Sequence, residues 1–117
     1  MIFNNEDWTD SWDYEDASLS PISLQGLTLI MMVRKTAGDT NIELAAANDS
    51  SIDFGSVPTG VIATGGTGLN VLALAISKGV IKNLEAGPYV FEVQATGDGI
   101  TRTIANGPLT VNQGVIR

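Results

Sequence analysis

The stretch Leu84-Glu85-Ala86-Gly87-Pro88-Tyr89-Val90-Phe91-Glu92-Val93-Gln94-Ala95-Thr96-Gly97-Asp98-Gly99 decides the fold class. It opens with Leu-x-x-Gly-x-Tyr, runs on in alternation, and ends in a Gly-Asp-Gly reversal. A tyrosine placed just after a corner can bury its ring while its hydroxyl returns to backbone a few residues upstream, tying one strand of a sandwich to the loop before it. Tyr89, Phe91 and Val93 fall on one face and Val90, Glu92 and Gln94 on the other, which is the period of a strand. Gly97-Asp98-Gly99 supplies the left-handed backbone that a hairpin turn needs. Leu84, Gly87 and Tyr89 are therefore expected to carry stability rather than chemistry.

Outward from this segment the apolar positions keep a period of two. Downstream, Ile100 to Ile104 and Leu109 to Val111 read as the return strand, interrupted at Asn106-Gly107-Pro108, where the proline implies an edge or a bulge. Upstream, Lys78 to Leu84 reads as either a helical turn or a connection between sheets, and Leu69 to Ile76 as a strand apolar on both faces. Residues 55–68 hold five glycines and one proline, the composition of loops around a short edge strand at Val61 to Ala63. Ile52 to Phe54 is a brief extended piece. Asn41 to Ala46 is expected to be a strand, although Glu43 to Ala47 has helix-forming composition. Ile22 to Arg34 is a longer strand with apolar residues on both faces, the mark of a central position. Trp8, Trp12 and Tyr14 alternate with polar residues and suggest an aromatic-faced first strand. About seven strands in a domain of about 100 residues predict an all-β, immunoglobulin-like β-sandwich. Residues 1–16 form an acidic aromatic N-terminal arm or first strand, and residues 17–117 the sandwich.

Composition excludes much chemistry. The 117 residues include no cysteine and no histidine. Disulfides, thiolate metal sites, cysteine nucleophiles and every Ser-His or Cys-His arrangement are thereby removed. The net charge of −7 is uneven: Glu6, Asp7, Asp10, Asp13, Glu15 and Asp16 stand without a base in residues 1–16, whereas the remainder has seven acids against six bases. No cluster of Lys and Arg offers an electrostatic footprint for nucleic acid. No segment approaches the roughly 20 apolar residues of a membrane-spanning helix, and no secretory signal is visible at the N-terminus. The expectation is a protein without cofactor, nucleic-acid or membrane partner.

Each tempting motif has a plainer reading beside it. Asp7, Asp10, Asp13 and Asp16 recur every three residues, but their spacing is not that of an EF-hand, and a solvated face or a contact with another chain explains them as well. Gly65-Gly66-Thr67-Gly68 lacks the following Lys-Ser/Thr of a phosphate-binding loop and reads as a flexible loop. The acids beyond residue 16 are scattered among turns and outward strand positions, so no pair suits glycoside hydrolysis. Met31 and Met32 are core filler. Trp8, Trp12 and Tyr14 can form a protein-binding patch or a sugar-stacking platform, with Asp7, Asp10 and Asp13 around them, or they can cover one end of the core.

The order of motifs resembles a family. Asp7-Trp8 and Trp12-Asp13-Tyr14 precede Pro21-Ile22-Ser23-Leu24-Gln25-Gly26, which runs into Met31-Met32-Val33-Arg34. Leu84 to Val93, the Gly-Asp-Gly hairpin, and Gly107-Pro108-Leu109-Thr110-Val111-Asn112-Gln113-Gly114-Val115-Ile116-Arg117 complete the series. Over nearly the whole chain this is similar to small tailed-phage and prophage structural β-sandwich proteins associated with the tail or baseplate. Ser23-Leu24-Gln25 stands where that pattern has aspartate-leucine-threonine, and Ile116 where it has threonine. The resemblance implies a non-enzymatic virion component that contacts other virion proteins, with a homo-oligomer as a further possibility. A carbohydrate- or host-surface-binding module is the alternative, because the same fold supports either role.

Overall fold

The protein is seen in a computed structural model that describes residues 2–15, 18, 23–49, 51–65, 70–82, 84–97 and 99–114. Its elements are β1 (Ile2–Phe3), β2 (Trp8–Asp13), β3 (Thr28–Arg34), β4 (Leu44–Ala47), β5 (Thr59–Gly65), β6 (Val71–Ile76), α1 (Lys78–Ile81), β7 (Gly87–Gly97) and β8 (Ile100–Asn112). The eight strands join one sheet in the order β1-β8-β7-β3-β4-β5-β6-β2. The sheet is mixed, with β1·β8 and β4·β5 parallel and the remaining pairs antiparallel, and it is nearly closed into a barrel.

The chain is thus all-β, as its periodicity predicts. The ladder is not clearly the immunoglobulin-like sandwich of about seven strands that the strand count predicts. The parallel β4·β5 pairing carries hydrogen bonding across the place where two separate sheets would part, and β1 adds a strand too short to leave a periodic trace. Other boundaries move for equally local reasons. The strand expected from Ile22 starts only at Thr28, after a turn in which Leu27 N–H donates to the Leu24 carbonyl at 3.2 Å. Residues 19–22, including Pro21 and Ile22, lie outside the described residues, as do most of the glycine-rich loop at 66–69 and the terminus at 115–117. The piece at Ile52 to Phe54 is not a strand, and β5 is no edge, since it lies between β4 and β6.

β8 runs unbroken through Asn106-Gly107-Pro108, and Ile104 is the extra residue of a bulge, because Val93 pairs with Ala105 and Gln94 with Thr103. Pro108 is tolerated because β8 carries a second neighbour only at Val111 and Asn112, where β1 joins it. The ambiguous stretch after β6 becomes α1, a single helical turn whose Ile81 is buried.

Alternation sorts the side chains. Leu29, Met31 and Val33 of β3 are wholly buried, while Thr28, Ile30, Met32 and Arg34 on its other face are only half-buried. Leu72, Leu74 and Ile76 of β6, Ile62 of β5, Tyr89, Val93 and Ala95 of β7, and Leu109 and Val111 of β8 meet the β3 residues in one core. Each large aliphatic side chain enclosed in this way stabilises the fold by about 1.5–3 kcal/mol.

The corner before β7 is built as its residues suggest. The Tyr89 hydroxyl donates to the Glu85 carbonyl at 2.7 Å, and the ring is buried. Gly87 holds φ +149°, a backbone conformation that other residues rarely adopt, although a Cβ there would meet nothing. Leu84 is buried, and its carbonyl accepts from Asn4 Nδ2 at 3.3 Å. Asn4 Oδ1 accepts from Gly114 N–H at 2.9 Å, so one buried amide joins the N-terminal segment, the corner and the end of the last strand.

Candidate functional site

The acidic aromatic segment is a strand of the sheet. β2 pairs with β6 from Trp8↔Ile76 to Asp13↔Val71, which sets Trp8, Asp10 and Trp12 opposite the buried Ile76, Leu74 and Leu72. Thr9, Ser11 and Asp13 therefore point the other way, and all three are exposed. Trp8 is only 5% exposed and stands edge-on to Phe91 of β7, at 6.3 Å between centroids and 82° between planes. Trp12 is half-buried and lies tilted against the same ring at 5.6 Å. Phe91 thus joins the last strand of the ladder to the third, a coupling worth about 0.5–1.5 kcal/mol per ring pair beyond area burial.

These placements separate the aromatic residues. Trp8, for which a place in the core and a role as an interface anchor stood side by side, lies in the core, because alternation turns it toward Phe91. Trp12 and Tyr14 keep partial exposure, but Tyr14 is fixed by its backbone: its N–H donates to the Asn70 carbonyl at 2.9 Å, and its carbonyl accepts from Asn70 Nδ2 at 3.3 Å. A sugar platform on this strand would have to stand on Trp12, with Trp8 enclosed.

The acids are separately engaged. Asp7 Oδ1 accepts from the N–H of Lys78 at 2.7 Å, at the first turn of α1, and Asp10 Oδ1 accepts from the N–H of Ser11 at 2.9 Å. Asp13 is exposed, and Asp16 lies outside the described residues. Glu6, Asp7 and Asp10 share an open cleft of about 300 Å³ with Trp8, Phe91 and Pro108, where the two ends of the sheet approach. Among the described residues no group of three or more Asp or Glu could hold a metal ion. Open carboxylates of this kind repel like-charged surfaces.

A second surface lies on the outward face of β3 and β7. A groove of about 440 Å³ is lined by Ile30, Met32 and Arg34 of β3 and by Val90, Glu92 and Gln94 of β7. One Arg34 Nη donates to the Met32 sulfur at 3.5 Å, a weak acceptor. Arg34 Nε is buried and has no hydrogen-bond partner among the described residues. Glu92 Oε1 accepts from the Thr103 hydroxyl at 2.6 Å and from Gln94 Nε2 at 3.0 Å. These two donors, Thr103 foremost, hold the Glu92 carboxyl below the usual range, with the Arg34 charge a lesser influence. The groove's charged groups are one cation, Arg34, and one anion, Glu92, set with the amides of Gln94 and Asn106 among apolar walls.

Arg34, Glu92 and Phe91 were not singled out as functional from the sequence. For Arg34 and Glu92 the available signal was the apolar second face of β3, read only as the mark of a central strand. Phe91 carried no signal beyond its core-facing parity. Tyr89, by contrast, is a structural donor: burial, and then the charges of Glu43 and Glu85, raise its pKa and keep the hydroxyl protonated. Among the described residues no helix is long and apolar enough to cross a membrane. No protein-family model matches this chain, and no curated protein sequence matches it.

Proposed function

We propose that this protein is a non-enzymatic structural component of a phage or prophage virion, associated with the tail or baseplate and acting through contacts with other virion proteins. The order of motifs from Asp7-Trp8 to the closing Gly-Val-Ile-Arg supports the virion assignment. The observation that carries the assembly role is the outward face of β3 and β7, where Ile30, Met32 and Val90 surround Arg34, whose Nε has no hydrogen-bond partner among the described residues. Contiguous apolar side chains on an open face mark contact surfaces. We read the ladder as an immunoglobulin-like pair of layers, β1-β8-β7-β3-β4 against β5-β6-β2, joined through β4·β5. The contact of Trp8 and Trp12 with Phe91 across the interior and the tyrosine corner support that reading.

The test is incorporation. Particles purified by density from a producing host should contain the chain in fixed stoichiometry, detected by mass spectrometry, and an in-frame deletion of its gene should yield incomplete particles. Absence of the chain from purified particles would retire the virion reading.

A further inference from the structure

We infer that the outward face of β3 and β7 is the contact surface of a two-fold symmetric dimer, in which Arg34 of each copy meets Glu92 of the other. The inference rests on the reading that this protein works through protein contacts and names one such contact. Arg34 is half-buried, its enclosed Nε has no acceptor among the described residues and one Nη reaches only the weak Met32 sulfur, so the chain itself satisfies this guanidinium only in part. The nearby carboxylate does not serve it, because the described hydrogen bonds of Glu92 go to Thr103 and Gln94.

In the ladder Arg34 pairs with Val90 and Glu92 with Met32, so cation and anion sit diagonally on the same face, one residue pair apart. A two-fold axis lying in the plane of the contact, passing midway between Arg34 and Glu92 and perpendicular to the line joining them, sets each cation against the other copy's anion, and the isologous contact then forms the same ion pair twice. The groove of about 440 Å³ receives the partner's long side chains from the same positions.

A second copy suits this face better than it suits the rest of the molecule. The chain carries a net charge of −7, and six of its acids lie in residues 1–16, so most approaches between copies are repulsive. This face balances Arg34 against Glu92 and opposes no like charges when it meets itself. The other outward face differs in kind. Thr9 and Ser11 of β2, Ala63 of β5 and Ala73 and Ala75 of β6 are small and exposed, with the exposed Val61 and the half-buried Val71 as larger apolar side chains. Ile30, Met32 and Val90 are larger, contiguous and already half-withdrawn from water.

The decisive experiment uses charge reversal. Sedimentation velocity of the full chain should show a dimer that forms with rising concentration and weakens with salt. Arg34→Glu and Glu92→Arg should each weaken association about a hundredfold, because each sets like charges opposite one another. An equimolar mixture of the two variants should restore it, since their heterodimer contains both opposite-charge pairs. A wild-type chain that stays monomeric, single variants that still dimerise, or a mixture no stronger than its parts would each overturn the inference. Should a variant fail to fold, Asn106→Cys in a chain with no other cysteine gives a single spin-label site at the rim of the groove. Dipolar coupling between copies supports the dimer, and its absence in an associated sample overturns it. The outcomes stay separable from the particle test: a monomeric chain found in purified particles retires this face alone.

Discussion

The inner and outer faces of β3 and β7 share one backbone and reach opposite ends. Their register runs unbroken from Thr28↔Thr96 to Arg34↔Val90, so hydrogen bonding treats both faces alike. Yet Leu29, Met31, Val33 and Val93 are fully enclosed, while Ile30, Met32, Arg34 and Val90 stop half-way. A central place in the ladder covers a strand's two edges; it covers a face only if another layer packs there. Here the inner face is closed by β2 and β6 from across the interior, whereas on the outer face Ile30, Met32 and Val90 keep part of their surface open. That remaining apolar surface is available for contact.

The comparison breaks most readily where the inner face is closed. Trp8→Ala should destabilise the fold by about 3–5 kcal/mol, the cost of removing a buried aromatic ring, read as a lower denaturant midpoint at unchanged slope. Trp12→Ala should cost clearly less, because its ring is half-exposed. A loss below about 1 kcal/mol for Trp8→Ala would mean that the inner face closes without β2. Next in size come two adjacent methionines with opposite parity. Met31→Ala should cost about 2–5 kcal/mol and Met32→Ala less than about 1 kcal/mol in the same assay. Equal losses would erase the distinction between the faces.

Much of this was legible in local residues. The tyrosine corner needs Leu84, Gly87 and Tyr89 within six positions, and alternation identified the cores of β2, β3, β6 and β7. What escaped depends on partners far along the chain. The β4·β5 pairing and the two-residue β1 have no local signature, since which strand lies beside which is decided by the packed whole. Trp8 was ambiguous because its neighbours are acidic; only pairing with β6 shows that those acids turn outward or reach the rim while the ring turns in. Arg34 and Glu92 looked like ordinary strand residues, because the sequence marks a second apolar face without saying whether the chain itself will cover it.

Smaller effects sharpen the same contrast. Tyr89→Phe removes the inner-face bond to the Glu85 carbonyl and should cost about 1 kcal/mol. The folded-state pKa of Tyr89 lies above the ordinary 10.0, so its contribution is fully present below pH 10 and is lost as pH rises from there through the folded value. Stability of Tyr89→Phe, followed by alkaline denaturation, should lack that decline.

On the outer face the expected change is one of titration more than stability. Thr103→Val deletes the strongest hydrogen bond holding Glu92 below the usual carboxylate range, so the Glu92 pKa should rise toward its ordinary value. The sign follows from a depressed folded-state pKa: the small stabilisation from Glu92 is present above the unfolded value and lost as pH falls through the folded one, and in Thr103→Val that acid loss becomes shallower. Carboxyl-carbon NMR titration measures the pKa directly, and thermal unfolding at neutral pH should change by less than about 1 kcal/mol, because the pair is exposed to screening solvent. A larger loss at neutral pH would make the outer polar network a structural element like the inner face. A shifted titration with stability retained leaves Glu92 as a charge positioned for something outside its own chain.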